Sequence, residues 1–234
     1  EMIGNIAHQW RQPLSIISVI ASGIQMKQNF GLLDVENLSK DMDKIITQTN
    51  YLSQTIDDFR NFIKTSNDGK IISIKNTLLK TISIINSALN TYHINLISSI
   101  DNDIMIQGYE NELIQSFINI INNAKDSINE KNMEDQDKFI FISSKYIKDD
   151  LEVSIKDSGG GIAPEIINRI FEPYFTTKHK SQGTGIGLYM SNEIIKKHMN
   201  GDISVSNKKY LYENTNYNGA EFKIVLPLNS QIIE

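Results

Sequence analysis

Cysteine is absent from this chain, which excludes disulfide scaffolds and thiolate metal sites and accords with a reducing compartment. No apolar run approaches the roughly 18 residues of a membrane-spanning helix. No stretch combines the basic start, apolar middle and small-residue end of a secretory signal. A basic excess is also missing: 23 Lys and Arg against 28 Asp and Glu leave a net charge of −5. With no basic stripe, nucleic acid is not expected as a partner. What remains is ordinary globular composition, 40% hydrophobic and 22% charged in 234 residues, enough for one large domain or two small ones. Apolar periodicity is already running by Ile3. The chain therefore reads as a piece of a longer protein. Any membrane link is expected only through segments outside this chain, with the chain itself cytoplasmic.

The N-terminal part is heptad-like. Ile3, Ala7, Trp10, Leu14, Ile17, Ala21 and Ile24 are spaced by four or three. After a break at Gly31-Leu32-Leu33-Asp34, Leu38, Met42, Ile45, Thr49, Leu52, Ile56, Phe59 and Ile63 repeat the pattern. Such spacing holds one narrow seam on each helix. Two helices with a short connection make an antiparallel hairpin. A lone hairpin leaves its seams partly bare, so two copies are expected to form a homodimeric four-helix bundle. The alternative is a hairpin packed on its own C-terminal domain.

Ser66-Asn67-Asp68-Gly69 breaks the second helix and marks a boundary. Beyond it the pattern predicts strands at 71–74, 94–100, 104–106, 203–206 and 221–226. A hairpin is expected from 139–147 and 151–156, with helices at 78–89, 110–128, 166–170 and 188–199. Tyr210–Asn218 reads as a polar loop. Helices alternating with mostly antiparallel strands make an α+β sandwich.

Two glycine-rich runs stand out: Asp157-Ser158-Gly159-Gly160-Gly161 and Gly183-Thr184-Gly185-Ile186-Gly187-Leu188. Glycine lets backbone amides approach an anion and allows positive φ. Two such turns suggest a nucleotide held from two sides, or else two ordinary tight turns. Neither is a P-loop or a dinucleotide fingerprint. On the long predicted helix, Asn119 and Asn123 are one turn apart on one face, with Asn122 beside them. Asn is a poor helix former. A carboxamide oxygen suits Mg²⁺, although hydrogen bonding to nearby backbone would also explain these residues. Asp157 follows a strand, where a carboxylate can accept a hydrogen bond from the exocyclic amine of adenine or can start an Asx turn. In Phe171-Glu172-Pro173-Tyr174-Phe175-Thr176-Thr177-Lys178 the aromatics could anchor a lid whose Lys178 reaches phosphate. The phosphates would then meet backbone amides around Gly185 and Gly187 at a helix start.

Taken in order, Asn119-x-x-x-Asn123-Ala124, Asp157-x-Gly159-x-Gly161, Phe171-Glu172-Pro173-x-Phe175 and Gly183-x-Gly185-x-Gly187 resemble the ATP-binding boxes of bacterial two-component sensor histidine kinases. Their domain is shared with gyrase, heat-shock chaperones and mismatch-repair proteins. Upstream, His8-Gln9-Trp10-Arg11-Gln12-Pro13-Leu14 resembles the family's phospho-acceptor box. The resemblance implies a dimerisation and histidine phosphotransfer hairpin over 1–66 and a Bergerat-type ATP-binding catalytic domain over 70–234. ATP and Mg²⁺ are the implied cofactors, with the metal on Asn123. Asn119, Asn123, Asp126, Asp157, Gly159, Gly161, Phe171, Phe175, Lys178, Gly183, Thr184, Gly185, Gly187 and Leu188 are the implied cofactor contacts. His8 is the implied phospho-acceptor. The partners would be a second copy through the hairpin and the receiver domain of a response regulator.

Three details refine that expectation. In gyrase-like relatives, the position four before the metal-binding asparagine is a glutamate that activates water. Here it is Asn119, and an amide cannot serve as that base. Gln9 stands where many members carry an acid after the histidine, and it cannot be a base at neutral pH. Gln12, one turn after His8, is a candidate for positioning water in regulator dephosphorylation. Seam register turns His8 off the buried seam, where an imidazole titrates at about 6.5, and Pro13 is expected to bend the helix beside it. The alternatives are a related conformational ATPase and a nucleotide-binding scaffold without transfer activity.

Overall fold

The computed structural model describes residues 2–63, 69–100, 104–131, 133–148, 150–178 and 183–228; the side chains of residues 2–9, 54 and 57–63 lie outside that set. The chain divides into two compact units, Glu1–Lys64 with Tyr174–Gly185, and Thr65–Pro173 with Ile186–Glu234. Ser66, Asn67 and Asp68 of the expected boundary, and His179 and Gln182 of the expected lid, lie outside the described residues.

The first unit is built on α1 (Met2–Asn29) and α2 (Val35–Ile63), which pack against each other. The connection follows from local chemistry. Gly31 takes φ 67°, and the Leu32 and Gly31 amides donate to the carbonyls of Lys27 and Gln28 at 2.8 and 3.1 Å. That is a Schellman cap, which a residue without Cβ favours. Asp34 then starts α2, its carboxylate accepting from the Asn37 amide at 3.2 Å. Lys27 and Asp41 pair across the two helices at 3.0 Å. α1 is assigned as helix straight through Pro13, which is buried, so the expected bend does not interrupt it. Much of the expected seam is bare in the single chain: Leu14 is 55% exposed and Met42 44%.

In the second unit, β1 (Lys70–Ser73) pairs antiparallel with β3 (Met105–Gly108) as a separate two-stranded ribbon. α3 (Ile74–Thr91) is capped by Ser73, whose hydroxyl accepts from the Asn76 amide at 3.0 Å. The main sheet among the described residues has the order β2-β4-β5-β7-β6, with β2 Asn95–Ile100, β4 Phe139–Ile147, β5 Asp150–Asp157, β6 Asp202–Tyr212 and β7 Thr215–Pro227. β2 and β4 run parallel and the other neighbours antiparallel. α4 (Glu110–Glu130) buries Leu113, Phe117, Ile120, Ile121, Ala124 and Ile128, a 3.6-residue stripe. It packs on α3, β4, β5 and the helix that begins at Gly187. Ile140, Ile142, Val153 and Ile224 supply the sheet side of this core.

Three expectations are corrected. Residues 166–170 form successive turns, with Ile166 and Ile167 both donating to the Ala163 carbonyl; the segment is too short to propagate a helix. The helix expected at 188–199 is α5 (Gly187–Glu193) passing into a π-helical turn over Ile194–His198. The expected polar loop 210–218 is strand: β6 and β7 run to a two-residue turn at Glu213-Asn214, whose φ values are 44° and 65°. Paired positive φ is the turn that matches the twist of a hairpin. Tyr210 and Tyr212 are two apart, and Tyr217 pairs with Tyr210, so the tyrosines share one face with the period of two that strand pairing uses.

Candidate functional site

Asp157 ends β5 and is 3% exposed. Its Oδ1 accepts from the amides of Gly159 at 2.8 Å and Ala220 at 3.2 Å. Burial pushes its carboxyl up to about 6, against the opposing pull of those two amides. A buried carboxylate whose hydrogen-bond partners among the described residues are backbone amides is an unusual investment in a core, and it suits reading a donor on a ligand. The Asx turn considered from the sequence is also present, since the Gly159 amide bonds back to Asp157.

The glycine run after Asp157 is shaped by close approach. Gly160 and Gly161 have φ of 85° and 82°, which L side chains avoid. A Cβ on Gly159 would meet Ser127 Oγ of α4 at 2.6 Å, and that hydroxyl donates to the Gly159 carbonyl at 3.1 Å. The loop is thereby seated on α4.

α4 also presents the asparagines. Asn119 Nδ2 donates to the Gly187 carbonyl at 3.1 Å and to Ser191 Oγ at 3.4 Å, tying the middle of α4 to the first turn of α5. Asn123 Nδ2 donates to the Asn119 carbonyl at 2.9 Å, so any ligand role of that amide falls on its oxygen. Asp126 is half-buried, with Lys125 at 3.4 Å. Within this unit direct contacts tie Asn119 of α4 to Gly187 and Ser127 of α4 to Gly159, whose amide in turn bonds Asp157. Phe171 packs edge-on to Phe222 at 6.3 Å. Leu188 is half-buried in the first turn of α5. Among the described residues no group of three or more His, Cys, Asp and Glu forms a metal cluster.

The segment Tyr174–Gly185 has its own order. The Tyr174 amide donates to the Gly185 carbonyl at 2.9 Å, and Gly185, at φ 64°, lies so close to the Tyr174 carbonyl that no Cβ fits. Thr176 Oγ1 accepts from the Lys178 amide at 3.1 Å. Phe175, Lys178, Gly183 and Thr184 are half-buried. Gln12 is exposed on α1, and the His8 side chain lies outside those described.

Sequence reasoning missed several supports. Gly219 on β7 lies against the Asp157 carbonyl, where a Cβ would overlap it; a lone glycine inside a strand pattern was the available signal. Tyr210 donates its hydroxyl to the Asp157 carbonyl at 2.9 Å. Asn207 and the Glu112–His198 pair, 2.6 Å apart, carried no local signal.

The family described as histidine kinase-, DNA gyrase B-, and HSP90-like ATPase matches residues 108–230, a span that holds α4 and the sheet from β4 through β7. The chain belongs to this ATPase family. ATP is the cofactor that this membership carries. The ATPase fold is repeated in the catalytic domain of the histidine kinase ThkA, at 26% identity and a TM-score of 0.57 over 68% of this chain and 95% of that one. A structure of ThkA in complex with the response regulator protein TrrA is similar in fold over 99% of this chain and 62% of that one, at 24% identity and a TM-score of 0.69. Similarity also reaches past the ATPase region in sequence. The signal transduction histidine-protein kinase AtoS of Escherichia coli is 28% identical over 99% of this chain and 35% of its own length. The histidine protein kinase SaeS of Staphylococcus aureus is 30% identical over 88% of this chain and 59% of its own. The chain spans 35–59% of the length of these curated relatives. The resemblance to two-component sensor kinases, drawn from the motifs, is thereby shown. Among the described residues no helix is long and apolar enough to cross a membrane.

Proposed function

We propose that this ATPase-family chain is the cytoplasmic kinase core of a sensor, with a phosphotransfer hairpin over 1–66 and a catalytic domain over 70–234. ATP phosphorylates His8, and the phosphoryl group then passes to an aspartate on a response regulator docked on the hairpin. The observation that carries this reading is the buried, backbone-held Asp157 at the head of a glycine loop seated on the asparagine helix.

Asp157 accepts the adenine amine, and Gly159 and Gly161 let the backbone close on the base. Phe171 and Phe175 anchor a lid over Tyr174–Gly185. Its Lys178, with the amides around Gly183, Thr184, Gly185, Gly187 and Leu188, takes the phosphates. Asn123, with Asn119 and Asp126 nearby on α4, is the candidate Mg²⁺ ligand. A single carboxamide oxygen fits a cation that keeps several waters and takes its other ligands from phosphate. The ion, when bound, neutralises charge on the phosphates. Asn119 holds α4 to the phosphate-facing turn of α5 and offers no base for water, which favours His8 as the acceptor over hydrolysis. Gln12, exposed one turn after His8, is the candidate for orienting water in regulator dephosphorylation.

The test is incubation of the wild type and His8→Ala with γ-labelled ATP. Acid-labile label on the wild type alone supports the reading. Catalytic phosphate release without label supports a conformational ATPase instead. ATP binding with neither outcome supports a scaffold.

A further inference from the structure

The loop after Asp157 carries consecutive glycines at positive φ, a sequence with little conformational preference of its own. Something outside the loop must therefore set its shape. The β6–β7 hairpin does so at three points. Asn207 on β6 turns its carboxamide onto the main chain of Ile162: Oδ1 accepts from the Ile162 amide at 2.8 Å, and Nδ2 donates to the Ile162 carbonyl at 2.6 Å. This reproduces with a side chain the paired bonds of a sheet ladder. The Gly160 amide donates to the Asn218 carbonyl at 2.9 Å. Tyr210 donates to the Asp157 carbonyl at 2.9 Å, and its ring is held by Lys156 at 3.9 Å from the centroid and by Tyr217 stacked at 5.8 Å. The loop returns the constraint to the carboxylate, because the Gly159 amide bonds Asp157 Oδ1.

We propose that Asn207 and Tyr210 are positioning residues for base recognition: by clamping the Gly159–Ile162 loop and the Asp157 main chain, they hold the Asp157 carboxylate where it reads the exocyclic amine. The inference rests on the assignment of Asp157 to the base. Asn207 is exposed, and its bonds cross to a surface loop, where single hydrogen bonds add little to global stability. Its effect on recognition is therefore separable from folding.

The experiment measures dissociation constants for ATP and for purine riboside triphosphate, which lacks the amine, together with melting temperatures. The proteins are the wild-type chain, Asn207→Ala, Asn207→Asp, Tyr210→Phe and Asp157→Asn. The wild type is expected to prefer ATP by about ten- to a hundredfold, the worth of a hydrogen bond to a charged group. Asp157→Asn should bring that ratio near one. Asn207→Ala and Tyr210→Phe should lower it by roughly three- to tenfold while hardly changing affinity for the analogue. Asn207→Asp keeps the acceptor for the Ile162 amide but sets a carboxylate against the Ile162 carbonyl, so it should also lower the ratio; it decides the matter if the alanine variant fails to fold. A wild-type ratio in the Asn207 and Tyr210 variants, beside a lost ratio in Asp157→Asn, overturns the positioning role. So does an equal loss for both nucleotides. A ratio unchanged in Asp157→Asn overturns the assignment of Asp157 itself.

Discussion

Asp157 concentrates the residue-scale physics. Its carboxyl is raised from the ordinary 3.8 to about 6, chiefly by burial. The unfolded chain releases this proton first, so between about pH 4 and pH 6 the folded state binds more protons than the unfolded one. Its contribution to stability is therefore fully present below the unfolded value, falls as pH rises through that window, and is flat above it. The size is at most about 3 kcal/mol. Nucleotide-free Asp157→Asn should consequently gain in melting temperature relative to wild type as pH is raised from 4 to 7, with the gap levelling above 6; a pH-independent gap would contradict the shift. If Asp157 reads the adenine amine, its ionised form is the stronger acceptor, so ATP binding should tighten as pH rises through about 6. Asp157→Asn should lack that component, while the titration of the nucleotide's own phosphates is common to both proteins. Beside His8, the proposed acceptor, Gln9 cannot take the imidazole proton. Gln9→Glu is expected to raise the single-turnover rate of phospho-His8 formation by about tenfold or more, and an equal or slower rate would remove the argument.

At the scale of elements, the β6–β7 hairpin is more than a sheet edge. It reaches past the sheet's end, clusters Tyr210, Tyr212 and Tyr217 with Phe139 and Phe141, and grips the glycine loop. Its turn uses left-handed backbone at Glu213 and Asn214, tolerable for Asn but costing about 1 kcal/mol at Glu. Replacing the pair with Asn-Gly (Glu213→Asn with Asn214→Gly) should stabilise the protein by about 1 kcal/mol, read as a higher denaturation midpoint at unchanged m-value. Because the clamp residues stay in place, nucleotide affinity should not fall. α4 plays the corresponding role from the other side. Its buried stripe fixes its rotation, and that rotation sends Asn119 to the Gly187 carbonyl and Ser127 to Gly159.

For the whole molecule, the hairpin's bare apolar residues set the question of assembly. Leu14 is 55% exposed, Met42 44% and Ile56 44%, all on the seams that repeat by four and three. A second copy is the occupant this repeat fits, since identical seams are self-complementary about a two-fold axis. Leu14→Glu combined with Met42→Glu should convert the expected dimer to a monomer in light scattering while leaving ATP binding by the catalytic domain within about twofold. A monomeric wild type would set the dimer aside.

The sequence by itself determined the parts whose causes are local. Heptad spacing yielded the two long helices, alternation the strands, and the glycine boxes the family and the expected nucleotide residues. These patterns are legible because the forces behind them, side-chain periodicity and the steric freedom of glycine, act within a few residues. The tyrosine-rich hairpin was misread because its polar residues masked a period of two. Only the tertiary structure decided the parallel pairing of β2 with β4, the burial that shifts Asp157, and the partner of Asn207, which lies 45 residues away in sequence. A carboxamide reads alike in sequence whether it faces water or a distant backbone. What distinguishes the two is the register of β6 against β7, set by the packed sheet as a whole.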